Sequence, residues 1–190
     1  MIPAPFLLEA YRTGMFPMGN REGGIDWYSP HQRGIIPIDG FHVPRRLSRL
    51  LRQHSFEIRI NTAFREVIFA CAALEDSWIS REIRESYVHL YQIGFAHSVE
   101  AWQGAMLAGG LYGVSLHGAF FGESMFHRVT NASKAALVAL VERLRDRGYL
   151  LLDTQWTTPH LERFGAIDIP RARYLRMLDE SMQRECTFFP

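Results

Sequence analysis

The chain has 190 residues, with 21 basic and 20 acidic side chains and a formal net charge of +1, so its bulk charge predicts no polyanionic partner. Two cysteines are too few for a disulfide framework or a cysteine-rich zinc site, and no metal-ligand spacing occurs, so we expect no metal. The chain has no apolar stretch of roughly 18 residues and no signal-peptide pattern, which predicts a soluble cytoplasmic protein without membrane association.

The first part of the chain predicts short elements separated by Gly-rich and Pro-rich segments. A helix over residues 5–14 precedes an irregular or short-strand region over 15–43. Pro44 can open a helix that runs to about Gln53, because the missing N–H of proline would be unpaired in the first turn anyway. Alternation of apolar and polar residues then predicts a strand over 56–60.

Two capped helices are predicted next. Asn61 or Thr62 can cap a helix that runs through Leu74, and Ser80 can cap a second helix that ends at Gly94. We expect a small N-terminal domain over about residues 1–60 and a larger domain over 61–190.

The C-terminal half changes period and predicts a β-β-β-α-β-α order. Asn131 is the expected cap of its long helix. The predicted bounds are 96–103, 106–115 and 119–126 for the three strands, 131–147 for the helix, and 149–152, 159–164, 167–169 and 171 onward for the remaining strand, short helix, strand and final helix. A meander followed by a helix and another strand indicates an α+β fold with a mixed sheet.

A polar pair follows the apolar run of residues 150–152. Asp153 and Gln155 are two residues apart, so in a regular strand both side chains would point from one face at the end of the sheet. A carboxylate beside a carboxamide can hold and orient a protonatable amine. From spacing alone, the more common alternative is a turn in which Asp153 caps the next element and Gln155 is solvated.

Glu123 lies in an aromatic segment, between Phe121 and Phe126. A carboxylate in such surroundings is costly to desolvate without a partner, which makes Glu123 a candidate for binding a cationic or amino-bearing substrate. The commoner alternative is that strand alternation points Glu123 outward. Aromatic residues along the chain could line an apolar pocket, although core packing is the more frequent role.

Basic residues are concentrated in one window, since no Asp or Glu occurs from residue 40 to residue 56. Arg45, Arg49 and Arg52 have the spacing of one helix face, opposite an apolar face. Guanidinium groups spaced in this way can contact successive phosphates of a nucleic-acid backbone. The alternative is an ordinary solvated helix face, which the absence of interleaved acids makes less typical.

A series of motifs runs through nearly the whole chain in a fixed order. They are YRTGMFPM (11–18), WYSP (27–30), WI (78–79), AHSVEAW (96–102), GGLYGV (109–114), GESMF (122–126), NASK (131–134) and LDTQ (152–155). In combination they closely resemble the bacterial leucyl/phenylalanyl-tRNA–protein transferase family. The resemblance implies a GNAT-like mixed sheet with a small, reduced N-terminal domain, and it implies no cofactor.

The resemblance also implies an activity. Members of this family transfer Leu or Phe, and more weakly Met, from Leu-tRNA or Phe-tRNA to the α-amine of proteins that begin with Arg or Lys. The new N-terminal residue marks the acceptor for proteolysis by the N-degron pathway.

The same resemblance implies roles for residues of this chain. Asp153 and Gln155 match the pair that works on the attacking amine. The positions near the aminoacyl-adenosine are Glu123, Trp78, Tyr87 and Tyr28. The positions of the side-chain pocket are Leu111, Phe120, Met125, Leu137, Leu140 and Leu144. Arg45, Arg49 and Arg52 match a basic cluster that holds the tRNA acceptor stem.

Two other functions stay open at this point. One is a leucyl transferase that acts on proteins beginning with Asp or Glu, and the other is a non-catalytic tRNA-binding protein. The choice of aminoacyl-tRNA and acceptor peptide in a transfer assay distinguishes all three.

Overall fold

The computed structural model describes residues 1–53 and 55–190. Its helices are α1 (Ala4–Arg12), α2 (Arg45–Arg52), α3 (Phe64–Ala72), α4 (Arg81–Gln92), α5 (Ala132–Asp146), α6 (Pro159–Glu162) and α7 (Arg171–Met182). Its strands are β1 (Phe16–Gly19), β2 (Ile25–Tyr28), β3 (Gln32–Ile36), β4 (Glu57–Ile60), β5 (Ala96–Gln103), β6 (Met106–Leu116), β7 (Ala119–His127), β8 (Leu151–Gln155) and β9 (Ile167–Pro170). The predicted order of elements is confirmed, with bounds that differ by a few residues.

The strands form a large sheet in the order β4-β5-β6-β7-β8-β3-β9, while β1 and β2 pair in a separate ribbon. Neighbouring strands of the large sheet are antiparallel except β7 and β8, which are parallel and are connected through α5. The predicted α+β class with a mixed sheet is therefore confirmed. Two strands from residues 1–60, β3 and β4, are hydrogen-bonded into this large sheet.

Helices cover both faces of the sheet. Residues adjacent in a strand pack into opposite core clusters: Phe120 lies with α5, whereas Phe121 lies with α1, α3, α4 and α7. In the same way, Leu152 lies in the cluster with α5, and Leu151 lies in the cluster on the opposite face of the sheet. This is the alternation expected of a strand, and burial of both faces explains why β6 is buried from its second residue to its last.

The Ser80 side chain caps its helix as predicted, whereas neither Asn61 nor Thr62 caps α3. The Ser80 hydroxyl accepts a hydrogen bond from the backbone N–H three residues later (3.2 Å), as expected. The cap predicted at Asn61 or Thr62 is wrong, because α3 begins after Ala63 without a side-chain cap of its own. Instead the Glu100 carboxylate of β5 accepts hydrogen bonds from the backbone N–H groups of Thr62 and Ala63, both at 3.1 Å.

No helix within residues 1–53 and 55–190 combines the length and the apolar character that crossing a membrane requires.

Candidate active site

Strands β7 and β8 diverge at the centre of the sheet. They pair only from Ala119 and Leu151 to Phe121 and Asp153. Beyond this point the two strands separate, and a cavity of about 260 Å³ opens between them. This space corresponds to roughly nine water molecules at about 30 Å³ each, which is enough for a large apolar side chain.

A bulge in β7 shapes the wall of the cavity. Tyr112 of β6 lies opposite Ser124, and Gly113 lies opposite Gly122, so Glu123 is an extra residue in β7. A side chain at Gly113 would not fit, because its Cβ would lie 2.3 Å from a backbone carbonyl oxygen of β7. The bulge directs Glu123 into the lining of the cavity.

The lining combines an apolar wall with a set of polar side chains. Its apolar part comes from Leu111, Met125, Leu137, Leu140, Leu152 and Leu161. Its polar part comes from Glu123, Ser124, Thr154, Gln155, Thr158 and His160. An apolar group with a polar end therefore matches this cavity.

The structure brings most of the predicted side-chain pocket together. Leu111, Met125, Leu137 and Leu140 line the cavity, as the resemblance implied. Phe120 and Leu144 lie outside the lining and are fully buried in the core between the sheet and α5. Sequence reasoning did not single out Leu152, Thr154, Thr158 or Leu161, although residues 152 and 154 have the two-residue spacing of one strand face.

Glu123 is held by two phenols behind the cavity. The Tyr11 hydroxyl donates to Glu123 Oε1 at 2.6 Å, and the Tyr87 hydroxyl donates to Oε2 at 3.1 Å. Burial raises the pKa of Glu123 to about 8, despite these two hydrogen bonds, which favour the ionised form. Tyr87 therefore acts on the site through Glu123 rather than as part of the lining.

Asp153 is on the other side of the strand from the cavity. Its side chain is fully buried, and Arg33 forms a bidentate pair with it: Nε donates to Oδ1 at 2.9 Å and Nη2 donates to Oδ2 at 2.6 Å. The Tyr174 hydroxyl also donates to Oδ2, at 2.7 Å. The expected shared face of Asp153 and Gln155 does not occur, because only Gln155 lines the cavity.

The cause of this difference is the backbone of Gln155, whose φ of +60° is left-handed and ends the regular alternation of β8. Sequence reasoning missed Arg33 and Tyr174. Arg33 is 120 positions from Asp153, and no short motif signals a contact over that separation.

Several buried polar atoms beside the cavity are unpaired. Thr154 Oγ1, Gln155 Nε2 and Tyr112 Oη have no hydrogen-bond partner among the residues that the structure describes. All three residues belong to the lining of the cavity. A buried polar group without a partner costs about 1–3 kcal/mol, so a polar ligand that pairs with these groups would gain affinity.

Two other predicted residues lie outside the lining. Trp78 packs partly buried against the core, and its carbonyl oxygen accepts a hydrogen bond from the Gly19 N–H at 3.0 Å. Tyr28 is 38% exposed and lies against Phe16 and Trp156, with ring centroids 5.9 Å from each. Tyr28 therefore belongs to an aromatic cluster with Phe16 and with Trp156, the residue that follows Gln155 in the chain.

A basic groove adjoins the cavity at His160. It is a space of about 430 Å³ between α2, the start of α5 and α6, lined by Arg46, Lys134, Arg163 and His160 among others. His160 lines both the groove and the cavity. Burial, together with the charges of Lys134 and Arg163, lowers the pKa of His160, as expected where positive groups converge.

The start of α5 forms part of this groove. Asn131 is the N-cap residue of α5, as predicted, but its backbone is left-handed (φ +72°) and its side chain makes no capping hydrogen bond. Its side-chain oxygen instead accepts a hydrogen bond from Lys134 Nζ at 2.9 Å, which holds the ammonium group at the groove.

The three predicted arginines lie on the outer surface of α2. Arg45, Arg49 and Arg52 are exposed and form no ion pair with any residue that the structure describes. Arg46 of the same helix lines the groove. Within the described ranges no group of three His, Cys, Asp or Glu side chains is arranged to hold a metal ion.

Comparison with known proteins gives one consistent result. The family model described as leucyl/phenylalanyl-tRNA protein transferase matches residues 35–179, and the model of that family's N-terminal domain matches residues 1–31. The chain is 53% identical over 188 residues to the leucyl/phenylalanyl-tRNA–protein transferase of Rhodopseudomonas palustris (strain TIE-1), covering 96% of this chain and 84% of the relative.

The transferase of the same name from Herpetosiphon aurantiacus is 53% identical over 183 residues, covering 96% of this chain and 95% of the relative. Among solved structures, a GCN5-related N-acetyltransferase-like protein from Streptococcus suis is similar, with 15% identity and a TM-score of 0.40. That match covers 96% of this chain and 63% of the other.

Proposed function

The chain belongs to the leucyl/phenylalanyl-tRNA–protein transferase family, and from this premise we propose that it transfers Leu or Phe, and more weakly Met, from tRNA to proteins that begin with Arg or Lys. The product is marked for N-degron proteolysis in the cytoplasm. The observation that carries the proposal is one cavity that has an apolar wall, the Gln155 amide and the Glu123 carboxyl, and that adjoins a basic groove at His160.

The apolar wall is the site for the transferred side chain. Leu111, Leu137 and Leu140 form a surface that suits side chains unbranched at Cβ, such as those of Leu, Phe and Met. A β-branched side chain would meet this wall closer to its backbone. Misfit by one methylene costs about 1–3 kcal/mol, so we expect Ile and Val to be discriminated against by a factor of ten or more.

The reaction joins the acceptor amine to the aminoacyl ester. The neutral α-amine attacks the ester carbonyl carbon, the new C–N bond forms, the bond to the ribose oxygen breaks, and the amine proton ends on that oxygen. Because an aminoacyl ester is already activated, positioning supplies much of the rate. Gln155 is the member of the Asp153–Gln155 pair that can contact the amine or the carbonyl, since Asp153 has no exposed surface.

The charge of the cavity favours a cationic acceptor. Glu123 is the acidic side chain of the lining, and a bound ammonium or guanidinium group would draw it into the ionised form. The side chain of an acceptor that begins with Asp or Glu brings no cation that would ionise Glu123, so it gains no such attraction. This electrostatic argument supports acceptors with N-terminal Arg or Lys, and it also supports binding of the donor's α-ammonium group beside Glu123.

The basic groove is the path for the 3′ end of the tRNA. A nucleotide whose aminoacyl group is in the cavity would have its neighbouring phosphates near Lys134, Arg46 and Arg163. The acceptor stem would then extend along Arg45 and Arg49 on the outer surface of α2. Phosphate contacts of this kind position the tRNA without reading its sequence.

A transfer assay tests the proposal. Labelled Leu-, Phe- and Arg-tRNA are offered with peptides that begin with Arg, Lys, Asp or Ala. We expect label only from Leu- or Phe-tRNA and only on the Arg and Lys peptides. Label on Asp peptides alone would support the leucyl transferase with acidic acceptors, and no label on any peptide would support a binding protein.

Two variants make the assay specific for the site. Gln155→Ala removes the amide from the cavity and should lower transfer strongly without unfolding the protein. Gln183→Ala is the matched control, because Gln183 is an exposed glutamine just after α7. Equal transfer by the two variants would contradict the role of Gln155.

A further inference from the structure

The Arg33–Asp153 pair is a rigid structure behind the cavity. Arg33 is 1% exposed, and its guanidinium carbon lies 4.5 Å from the ring centroids of both Phe16 and Tyr174. Its Nη1 group donates to the Gly14 carbonyl oxygen at 3.0 Å. A planar guanidinium between two rings, with its N–H groups engaged, has little freedom, so it holds the partner carboxylate in one orientation.

The Asp153 carboxylate has no acceptor capacity left for a substrate. An ionised carboxylate offers about four lone-pair sites. Oδ1 accepts from Arg33 Nε at 2.9 Å and from the Gln155 backbone N–H at 2.8 Å. Oδ2 accepts from Arg33 Nη2 at 2.6 Å and from the Tyr174 hydroxyl at 2.7 Å. Taking a proton from an amine would require Asp153 to release one of these donors.

The bond from the Gln155 N–H to Asp153 stabilises an unfavourable backbone. Gln155 has a φ of +60°, a left-handed region that is unfavourable for a residue with a Cβ. Because the Gln155 Nε2 atom is among the unpaired buried atoms, the amide depends on the backbone for its position. The next residues pass close over β3, where a Cβ at Gly34 would lie 2.3 Å from the Trp156 carbonyl carbon.

We propose that Arg33 and Tyr174 are positioning residues for transfer: they orient Asp153, and Asp153 holds the left-handed Gln155 that places its amide in the cavity. Asp153 itself does not contact the substrate. This inference rests on the proposed function in one respect, which is that the Gln155 amide contacts the reacting groups.

The first test is a double-mutant cycle. Tyr174→Phe removes one hydrogen bond to Asp153 but keeps the ring against Arg33, and we expect kcat to fall about tenfold, as for loss of a hydrogen bond to a charged group. KM for aminoacyl-tRNA should change less than twofold. In the Gln155→Ala background the same substitution should change the remaining kcat less than twofold, because Tyr174 acts through Gln155.

The matched control is Tyr149→Phe. Its hydroxyl is buried and hydrogen-bonded to Ser115 Oγ at 2.6 Å, on another part of the sheet. It should leave kcat unchanged, which would separate loss of a specific hydrogen bond from loss of a buried hydroxyl. A tenfold cost of Tyr174→Phe in both backgrounds, or an equal cost for Tyr149→Phe, would overturn the proposal.

A second measurement does not depend on activity. The Gln155 amide proton, bonded to a carboxylate, should be shifted downfield in NMR spectra and protected from hydrogen exchange. Arg33→Lys, and to a lesser extent Tyr174→Phe, should reduce both effects, whereas Tyr149→Phe should not. An unchanged Gln155 amide in Arg33→Lys would refute the positioning role. Absence of transfer by the wild-type protein, with these spectral changes present, would instead refute the proposed function alone.

Discussion

The raised pKa of Glu123 predicts a stability that decreases as pH increases. Burial raises the pKa of this carboxyl from its ordinary 4.5 to about 8. Below pH 4.5 the carboxyl is protonated in both the folded and the unfolded chain. Between pH 4.5 and 8 the unfolded chain ionises while the folded protein keeps its proton, so the free energy of unfolding decreases. At about 1.4 kcal/mol per pKa unit, the full loss above pH 8 is about 5 kcal/mol.

Glu123→Gln removes this pH dependence and keeps the shape of the side chain. A carboxamide can accept a hydrogen bond from Tyr11 and donate one to Tyr87, so both phenols stay paired. We therefore expect the variant to be more stable than the wild type by a small amount at pH 5 and by several kcal/mol at pH 8.5. Transfer to Arg and Lys peptides should decrease, because a carboxamide cannot be ionised by a bound cation as the Glu123 carboxyl can.

Urea unfolding followed by the fluorescence of the four tryptophans measures this effect between pH 5 and 9. Glu57→Gln is the control: it should lower the free energy of unfolding by an amount that stays constant between pH 5 and 9. The hydrogen bond from the Arg59 guanidinium lowers the pKa of the exposed Glu57 carboxyl, so this group stabilises the folded state above its ordinary pKa and loses that effect as pH falls. A gain for Glu123→Gln that is constant across the pH range, or no gain, would refute the burial argument.

The remaining predictions concern the cavity, the loop after Gln155 and the groove. Leu137→Trp should fill the cavity and lower kcat/KM for Phe-tRNA by at least tenfold in steady-state transfer assays, and an unchanged value would place the side chain elsewhere. Gly34→Ala should lower both the urea midpoint and transfer, since its Cβ would lie 2.3 Å from a backbone atom of Trp156; wild-type values in both would contradict this. In tRNA-binding titrations over a salt series, Arg46→Ala should reduce the slope of log tRNA affinity against log salt concentration by about 0.7–0.9. Arg49→Glu should weaken tRNA binding in the same titrations. Unchanged slope and affinity would argue against phosphate contacts by these arginines.

Patterns within short stretches of sequence determined many of the helices and strands of this protein. Residues close together in sequence form the strand pattern of 96–126 and the helical period of 132–146. Short stretches of sequence therefore predict the β5–β7 meander and α5. The Ser80 cap is local in the same way. Gln155, Leu111 and Met125 lie within short motifs, so local sequence pointed to these three residues, whereas Leu137 and Leu140 lie outside the motifs.

Tertiary structure decided the arrangement of the site. Strand β3 lies between β8 and β9, far from both in sequence, and only this placement brings Arg33 to Asp153. The left-handed backbone of Gln155 then separates two residues that regular alternation would place on one face. In the same way, the bulge at Glu123 depends on its pairing with β6. A pattern of residue types predicts which face of an element is buried, but contacts between distant strands and single backbone angles depend on the packed whole, which no local pattern encodes.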